Sequence, residues 1–164
     1  MYKLIKTDQA STTILVRLMI GAVFLSEGVQ KFIFPEQRST DQFETLGFAE
    51  AEIMAHYVGV FEVLAGILIL IGLFTRAGAL ITLIITTTAI IITNIIVVLG
   101  ESFYPSALSD LQTYGFWSMA PEIHTDWAMW LGSLFLLLKG GGRWSADLAI
   151  HKKNYSFSWS EQEL

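Results

Sequence analysis

Four stretches of this chain consist almost entirely of apolar residues and are separated by polar connections. They cover residues 14–34, 54–74, 77–99 and 124–140. A bilayer core about 30 Å thick needs roughly 20 helical residues, and the first three stretches reach that length. The fourth does so only if its helix begins near Glu122 or continues into the glycines after Lys139. The pattern predicts an all-α fold, an integral membrane four-helix bundle in a single domain.

The connections differ in charge, and this difference predicts an orientation. Residues 35–53 and 100–123 are predicted external loops, in which acidic residues predominate and Arg38 is the one basic residue. The basic residues beside the opposite ends of the stretches are Lys3, Lys6, Arg76, Lys139, Arg143, Lys152 and Lys153. Lys and Arg concentrate on the cytoplasmic side of membrane proteins, so both termini, including the tail 141–164, are predicted to be cytoplasmic.

Composition supports the membrane interpretation and excludes several kinds of chemistry. The chain is 53% hydrophobic and only 15% charged, whereas soluble domains carry about 25% charged residues. The lipid bilayer is therefore the expected partner, and the net charge of −5 gives no reason to expect nucleic acid. Without cysteine the chain cannot by itself hold an iron–sulfur cluster or c-type haem, and it shows no flavin motif. A redox role would need a protein partner.

Glu62 stands inside the second stretch, where an ionised carboxylate costs about 2.5–3.5 kcal/mol or more. It should therefore face other helices and find a polar partner on the first stretch, either Lys31 or Glu27. The residues that share its helical face are small: Ala55, Gly59 and Gly66. Small residues allow two helix backbones to approach closely, so the packing face and the polar group should coincide.

The first stretch carries three charged residues of its own. Arg17 lies near the N-terminal end and is expected to extend its guanidinium to the membrane surface. Glu27 and Lys31 have the i, i+4 spacing that allows a pair along one helix face. The alternative is that this pair only anchors the outer end of the helix.

Polar side chains of three stretches are predicted at a similar depth. Counted at about 1.5 Å per residue from the outer ends, Glu27, Glu62 and Asn94 lie in one layer. Lys31 and His56 lie nearer the outer surface, and His124 and Asp126 stand at the start of the fourth stretch. The coincidence favours a shared polar cavity in the outer half of the bundle over independent polar groups.

Three segments resemble the DoxX family of small bacterial membrane proteins. They are RLMIGAVFLSEGVQKF (17–32), VGVFEVLAGILILIGLFTR (58–76) and HTDWAMWLGSLFLLLKGGGRWSAD (124–147). The resemblance implies a four-helix bundle in the inner membrane, and some relatives are linked to oxidoreductase systems, including thiosulfate:quinone oxidoreduction. It implies no agreed catalytic residues. Only the positions of matching charged residues carry over: Arg17, Glu27, Lys31, Glu62, Arg76, Asp126 and Asp147.

Three functional hypotheses remain open, and whether the protein is an enzyme stays undecided. In the first, a redox-linked subunit binds a quinone-like head group, with Glu27 or Glu62 carrying a proton. The groups that would bind this ligand are Lys31, His56, Asn94 and Asp126. In the second, the buried charges only specify helix contacts in a scaffold or assembly partner. In the third, a metal is bound by carboxylates and imidazoles, with His56, Glu62 and His124 as candidates, although their spacing forms no compact motif.

The orientation can be tested with single introduced cysteines, because the native chain has none. A membrane-impermeant maleimide should label Ser109→Cys only from outside, and the control Arg143→Cys only from the cytoplasmic side. Labelling of Ser109→Cys only from the cytoplasmic side would contradict the predicted topology.

Overall fold

The structure is a computed structural model that describes residues 8, 10–34, 50–99 and 116–151, with the backbone alone for 92–99 and 116–123. Within these ranges the protein is helical and contains no strand, so the all-α prediction is confirmed. The long helices are α1 (Thr13–Ile33), α2 (Ala51–Ile71), α3 (Thr75–Leu99) and α4 (Phe116–Lys139). The segments 35–49, 100–115 and 152–164, which contain most of the predicted loops and tail, lie outside the described residues.

The ends of two helices differ from those expected. The helix α4 begins at Phe116 instead of residue 124, within a segment expected to be an external loop because of its acidic and interfacial aromatic residues. Pro121 lies in the second turn of α4, past the first-turn positions where proline costs no hydrogen bond, so it removes one intrahelical bond there. The helix α2 ends at Ile71 because Gly72 adopts a left-handed conformation with φ 74° and donates its N–H to the Leu68 carbonyl.

Consecutive helices are packed side by side. The helix α1 packs most extensively on α2, α3 packs on α4, and α2 also contacts α3, while α4 makes a smaller contact with α1. A buried apolar cluster joins all four helices: Ile20, Phe24, Ile69, Ala79, Met129 and Leu136. By length and composition, α1 and α2 can each cross a membrane, and α3 contributes the shorter apolar segment Thr75–Ile91.

One end of the helical array is held by Arg17, which is only 2% exposed. Its Nε donates to the Ile69 carbonyl at 2.8 Å and its Nη2 to the Leu70 carbonyl at 2.6 Å. Its Nη1 donates to the carbonyls of Gly141 at 3.2 Å and Trp144 at 2.6 Å. The expectation that Arg17 extends to the membrane surface is therefore wrong. The planar guanidinium instead satisfies carbonyls at the end of α2 and in the segment after α4.

Asp147 binds the start of α3 at the same end of the molecule. Its Oδ1 accepts the N–H of Phe74 at 2.8 Å, and its Oδ2 accepts the N–H of Thr75 at 3.0 Å and the Thr75 hydroxyl at 2.9 Å. A carboxylate is favoured there because the first N–H groups of a helix lack partners and carry partial positive charge. Phe74 has φ 47°, a conformation that costs a non-glycine residue about 1–2 kcal/mol. The bonds to Asp147 offset that cost.

Replacing Arg17 by lysine should destabilise the protein although the charge is retained. An ammonium has three donors for the four carbonyls that Arg17 satisfies, so at least one buried carbonyl loses its partner. Leaving that carbonyl unsatisfied costs about 1–3 kcal/mol of stability. The matched control is Arg143→Lys, since Arg143 is exposed. Denaturation in detergent should show a lower free energy of unfolding for Arg17→Lys and little change for Arg143→Lys. Equal stability of the two variants would contradict this role of Arg17.

Candidate functional site

A buried ion pair joins α1 to α2 in the half of these helices that lies away from Arg17. Lys31 Nζ lies 2.5 Å from Glu62 Oε2, and the two side chains are 13% and 3% exposed. The prediction that Glu62 faces another helix and pairs with a polar group of the first span is confirmed. This bond uses one ammonium hydrogen of Lys31 and one carboxylate oxygen of Glu62, so two ammonium hydrogens and Oε1 take no part in it.

The pair forms where α1 and α2 approach each other very closely. A Cβ added to Gly28 would lie 2.8 Å from the Gly59 carbonyl oxygen, and one added to Gly66 would lie 2.7 Å from the backbone nitrogen of Leu25. Only glycine fits at such distances. Ala55, Gly59, Glu62 and Gly66 are all buried, as the predicted stripe of small residues requires. The Glu62 side chain is only 3% exposed beside this contact, and the low local dielectric strengthens its attraction to Lys31.

Two further candidate residues stand beside the pair. The half-buried His56 packs its ring edge-on against Phe32, with ring centroids 5.6 Å apart, and its Nδ1 donates to the Glu52 carbonyl at 2.7 Å. Glu27 is exposed on α1, one turn before Lys31, and lies close enough to Glu62 to act on it electrostatically. Lys31 is therefore near two carboxylates, one buried and one exposed.

The remaining predicted residues are not members of this ion pair. The side chain of Asn94 lies outside the described residues, so its place in the polar layer stays a prediction. His124 is exposed and Asp126 half-buried on α4, and neither is a member of the Lys31–Glu62 hydrogen bond. No three His, Asp or Glu side chains of that part form a group suited to a metal ion, the candidates His56, Glu62 and His124 included.

Polar contacts between α3 and α4 form a second layer that was not predicted from the sequence. Thr82 Oγ1 donates to Ser133 Oγ at 2.9 Å, and Trp130 Nε1 donates to Thr87 Oγ1 at 2.9 Å. The α3 threonines also return hydrogen bonds to their own helix, as Thr86 Oγ1 does to the Thr82 carbonyl at 2.7 Å. These hydroxyls are satisfied locally and fit a packing role. The spacing of Thr82 and Thr86 on one face was visible in the sequence, but the α4 partner of Thr82, Ser133, was not.

Chemically, the pair can hold a proton or bind a polar group at low dielectric. An ammonium and a carboxylate removed from water attract each other strongly, and each would be costly to leave alone. A proton added to Glu62 would release Lys31 to donate to another acceptor. Such intramembrane ionisable groups often mark ligand sites and proton pathways.

Comparison with known proteins gives one family and one relative of similar length. A family model described as DoxX matches residues 12–95, a range that contains Arg17, Lys31 and Glu62. The uncharacterized membrane protein Rv3486 of Mycobacterium tuberculosis is 39% identical over 151 residues, which cover 92% of this chain and 88% of the relative. No solved structure matches the chain.

Removing one member of the buried pair should cost much more than removing both. Lys31→Met leaves the Glu62 carboxylate without its partner and should lower the free energy of unfolding by about 3–5 kcal/mol. The double variant Lys31→Met/Glu62→Leu should recover a large part of that loss, because apolar side chains replace both charges. Detergent denaturation measures both effects.

The control is the exposed pair of Lys139 and Asp8, whose Nζ and Oδ2 lie 3.1 Å apart. Lys139→Met should change stability by only about 0–1 kcal/mol, as is usual for solvent-exposed pairs. A loss of that small size for Lys31→Met as well would show that the inner pair carries no more energy than a surface pair.

Proposed function

The chain belongs to the DoxX family of membrane proteins, and on that premise we propose that it is a redox-linked subunit of the bacterial inner membrane. In this proposal the four helices cross the bilayer as a bundle, and the Lys31–Glu62 pair binds a quinone-like head group. A protein partner delivers the electrons, since the chain has no cysteine and no recognised redox motif. The observation that carries the proposal is the buried ion pair.

Helix lengths and charge support the bundle and its orientation. The helices contain 21, 21, 25 and 24 residues, or about 31–38 Å at the α-helical rise, which suits a bilayer core. Arg76, whose Nη2 donates to the Leu138 carbonyl, lies at the same end as Lys139 and Arg143. The positive-inside rule assigns that end, which Arg17 and Asp147 hold together, to the cytoplasm.

The chemistry of the pair suits a quinone better than a charged metabolite. A quinone carbonyl needs a hydrogen-bond donor, and the Lys31 ammonium has hydrogens beyond the one directed at Glu62. Reduction of a quinone also consumes protons, one of which Glu62 can hold close to the site. A lipid-soluble head group reaches this depth from the membrane without loss of a large hydration shell.

A scaffold role is the second candidate, and a specific observation favours it. The glycine contacts of α1 with α2 are very close, and the distance from Lys31 Nζ to Glu62 Oε2 is short. Both features would suit a pair that only fixes the register of the two helices. In a scaffold the two charges would serve only to hold α1 against α2, and no ligand would bind to them.

The two functions differ in their response to Glu62→Gln, which keeps the shape and a hydrogen bond but cannot carry a proton. A short-chain benzoquinone serves as the probe, with the full chain in lipid nanodiscs. Glu62→Gln removes the negative charge that holds the Lys31 ammonium in place, so the bond from Lys31 to the probe carbonyl should be lost, at a cost of about 1.5–3 kcal/mol, and the variant should bind the probe about 10- to 150-fold more weakly. In native membranes it should also abolish quinone-dependent electron transfer.

The matched control is Glu52→Gln, the same change at an exposed glutamate of α2. It should bind the probe as the unmodified chain does, at equal protein levels. If Glu62→Gln also leaves binding and electron transfer unchanged, and mass spectrometry of the purified protein finds no bound ligand, the scaffold function is correct and the redox function is wrong.

A further inference from the structure

A group of positive side chains lies at the end of the protein that Arg17 holds together. Arg76 is half-buried in the first turn of α3, Lys139 ends α4, and Arg143 is exposed four residues later. Arg76 Nη2 donates to the Leu138 carbonyl at 2.9 Å, so its guanidinium lies beside the end of α4. We call Arg76, Lys139 and Arg143 the basic patch.

The backbone that carries two of these cations is fixed by the segment before α1. The N–H of Asp8 donates to the Lys139 carbonyl at 2.9 Å, and the N–H of Arg143 donates to the Ala10 carbonyl at 3.2 Å. Gly142 has φ 77°, and a Cβ added there would lie 2.8 Å from the Ala10 carbonyl oxygen. Lys139 and Arg143 are therefore held by one short segment in a defined place, as a binding site requires.

Acidic groups at this end neutralise only part of the basic patch. Asp8 Oδ2 lies 3.1 Å from Lys139 Nζ, and both side chains are about half exposed. Asp147 is 1% exposed and binds the start of α3. Neither Arg76 nor Arg143 is a member of the two ion pairs described above. Among the described residues the surface of this end is therefore positive, and a partner of opposite charge fits it.

Arg76 has donors that its contact with α4 does not use. The bond to the Leu138 carbonyl uses Nη2, and Nη1 takes no part in it. Nε is buried and has no hydrogen-bond partner among the described residues. Capping the end of α4 thus accounts for only part of the guanidinium. Phosphate is the anion that suits the remaining donors, because its oxygens can accept two hydrogen bonds from one guanidinium.

The surface beside the basic patch is suited to lipid. The Trp144 side chain is 66% exposed, although Arg17 fixes the Trp144 carbonyl at 2.6 Å. Tryptophan is enriched at the membrane–water interface, where its ring is in apolar surroundings and its N–H reaches water. Leu138, whose carbonyl binds Arg76, is also 66% exposed. Cations next to exposed apolar side chains fit a phospholipid better than a soluble anion, since acyl chains can cover the apolar part.

We propose that the basic patch binds an anionic phospholipid, with Arg76 and Arg143 donating to its phosphate group and Trp144 beside its head group. Basic pockets between membrane helices near the surface bind anionic head groups in this way. A zwitterionic lipid fits less well, because its own ammonium group opposes the cations of the patch.

This inference rests on the part of the proposed function in which the helices cross the bilayer, and it is independent of any redox ligand. The two can fail separately. Cysteine labelling tests the crossing, and benzoquinone binding tests the Lys31–Glu62 site, whereas the basic patch is tested by lipid binding alone.

Native mass spectrometry can count the lipids that stay bound to the full chain. The chain is purified in detergent and mixed with equal amounts of phosphatidylglycerol, which is anionic, and phosphatidylcholine, which is zwitterionic, with the same acyl chains. The unmodified chain should retain phosphatidylglycerol in preference. Arg76→Gln and Arg143→Gln should each weaken that binding about fivefold, as expected for one basic residue beside an anionic head group, and leave phosphatidylcholine binding unchanged.

The matched control is Arg38→Gln, the same change of charge in a predicted external loop. It should retain phosphatidylglycerol as the unmodified chain does. An equal loss in Arg38→Gln, or equal retention of the two lipids by the unmodified chain, would overturn the proposal. Because Arg143 is exposed, Arg143→Gln tests the patch even if Arg76→Gln is unstable.

A last arm distinguishes a lipid from a soluble anion. Inorganic phosphate at the concentration of the lipid should leave the bound phosphatidylglycerol in place. Displacement of the lipid by inorganic phosphate would show that the patch binds soluble phosphate, and would overturn the phospholipid as its partner.

Discussion

The cost of removing a charge from water governs how the helices of this protein meet. Arg17, Glu62 and Asp147 are almost fully buried, and each is satisfied by groups distant in sequence. An unpaired charge in such surroundings would cost several kcal/mol, a large part of the marginal stability of a domain. The helices must therefore adopt the arrangement in which these side chains reach their partners. The tight glycine contacts between α1 and α2 are compatible with that arrangement.

The charges act at two ends with different consequences. Near the turn between α2 and α3, Arg17 and Asp147 bind backbone groups, which do not titrate and give a permanent connection. At the other end, Lys31 and Glu62 bind each other, and either can exchange its proton or its partner. The contacts of Arg17 and Asp147 are suited to holding the helices in place, and the Lys31–Glu62 pair is suited to proton transfer or ligand binding. This difference is why we assign the functional site to the Lys31 end.

Much of the pair could be predicted from the sequence, because local rules determine it. A carboxylate within an apolar stretch needs a partner, Lys31 is a cation near the expected depth, and small residues on the Glu62 face indicate where a neighbouring helix approaches. The role of Arg17 could not be predicted in this way. Its acceptors are backbone carbonyls up to 127 residues away, and every residue has a carbonyl, so no side-chain pattern identifies them. The start of α4 was missed because interfacial aromatic residues occur in loops and in helix ends alike.

The central claim is that Lys31 and Glu62 form a direct ion pair within the membrane. Solid-state NMR of the full chain in lipid bilayers can measure it, with ¹⁵N in the lysine ammonium groups and ¹³C in the glutamate carboxyl groups. We predict a short ¹⁵N–¹³C dipolar contact, as the 2.5 Å separation of Nζ and Oε2 requires, that disappears in Glu62→Gln and persists in Glu52→Gln. A spectrum without that contact in the unmodified chain, or with the same contact in Glu62→Gln, would contradict the account.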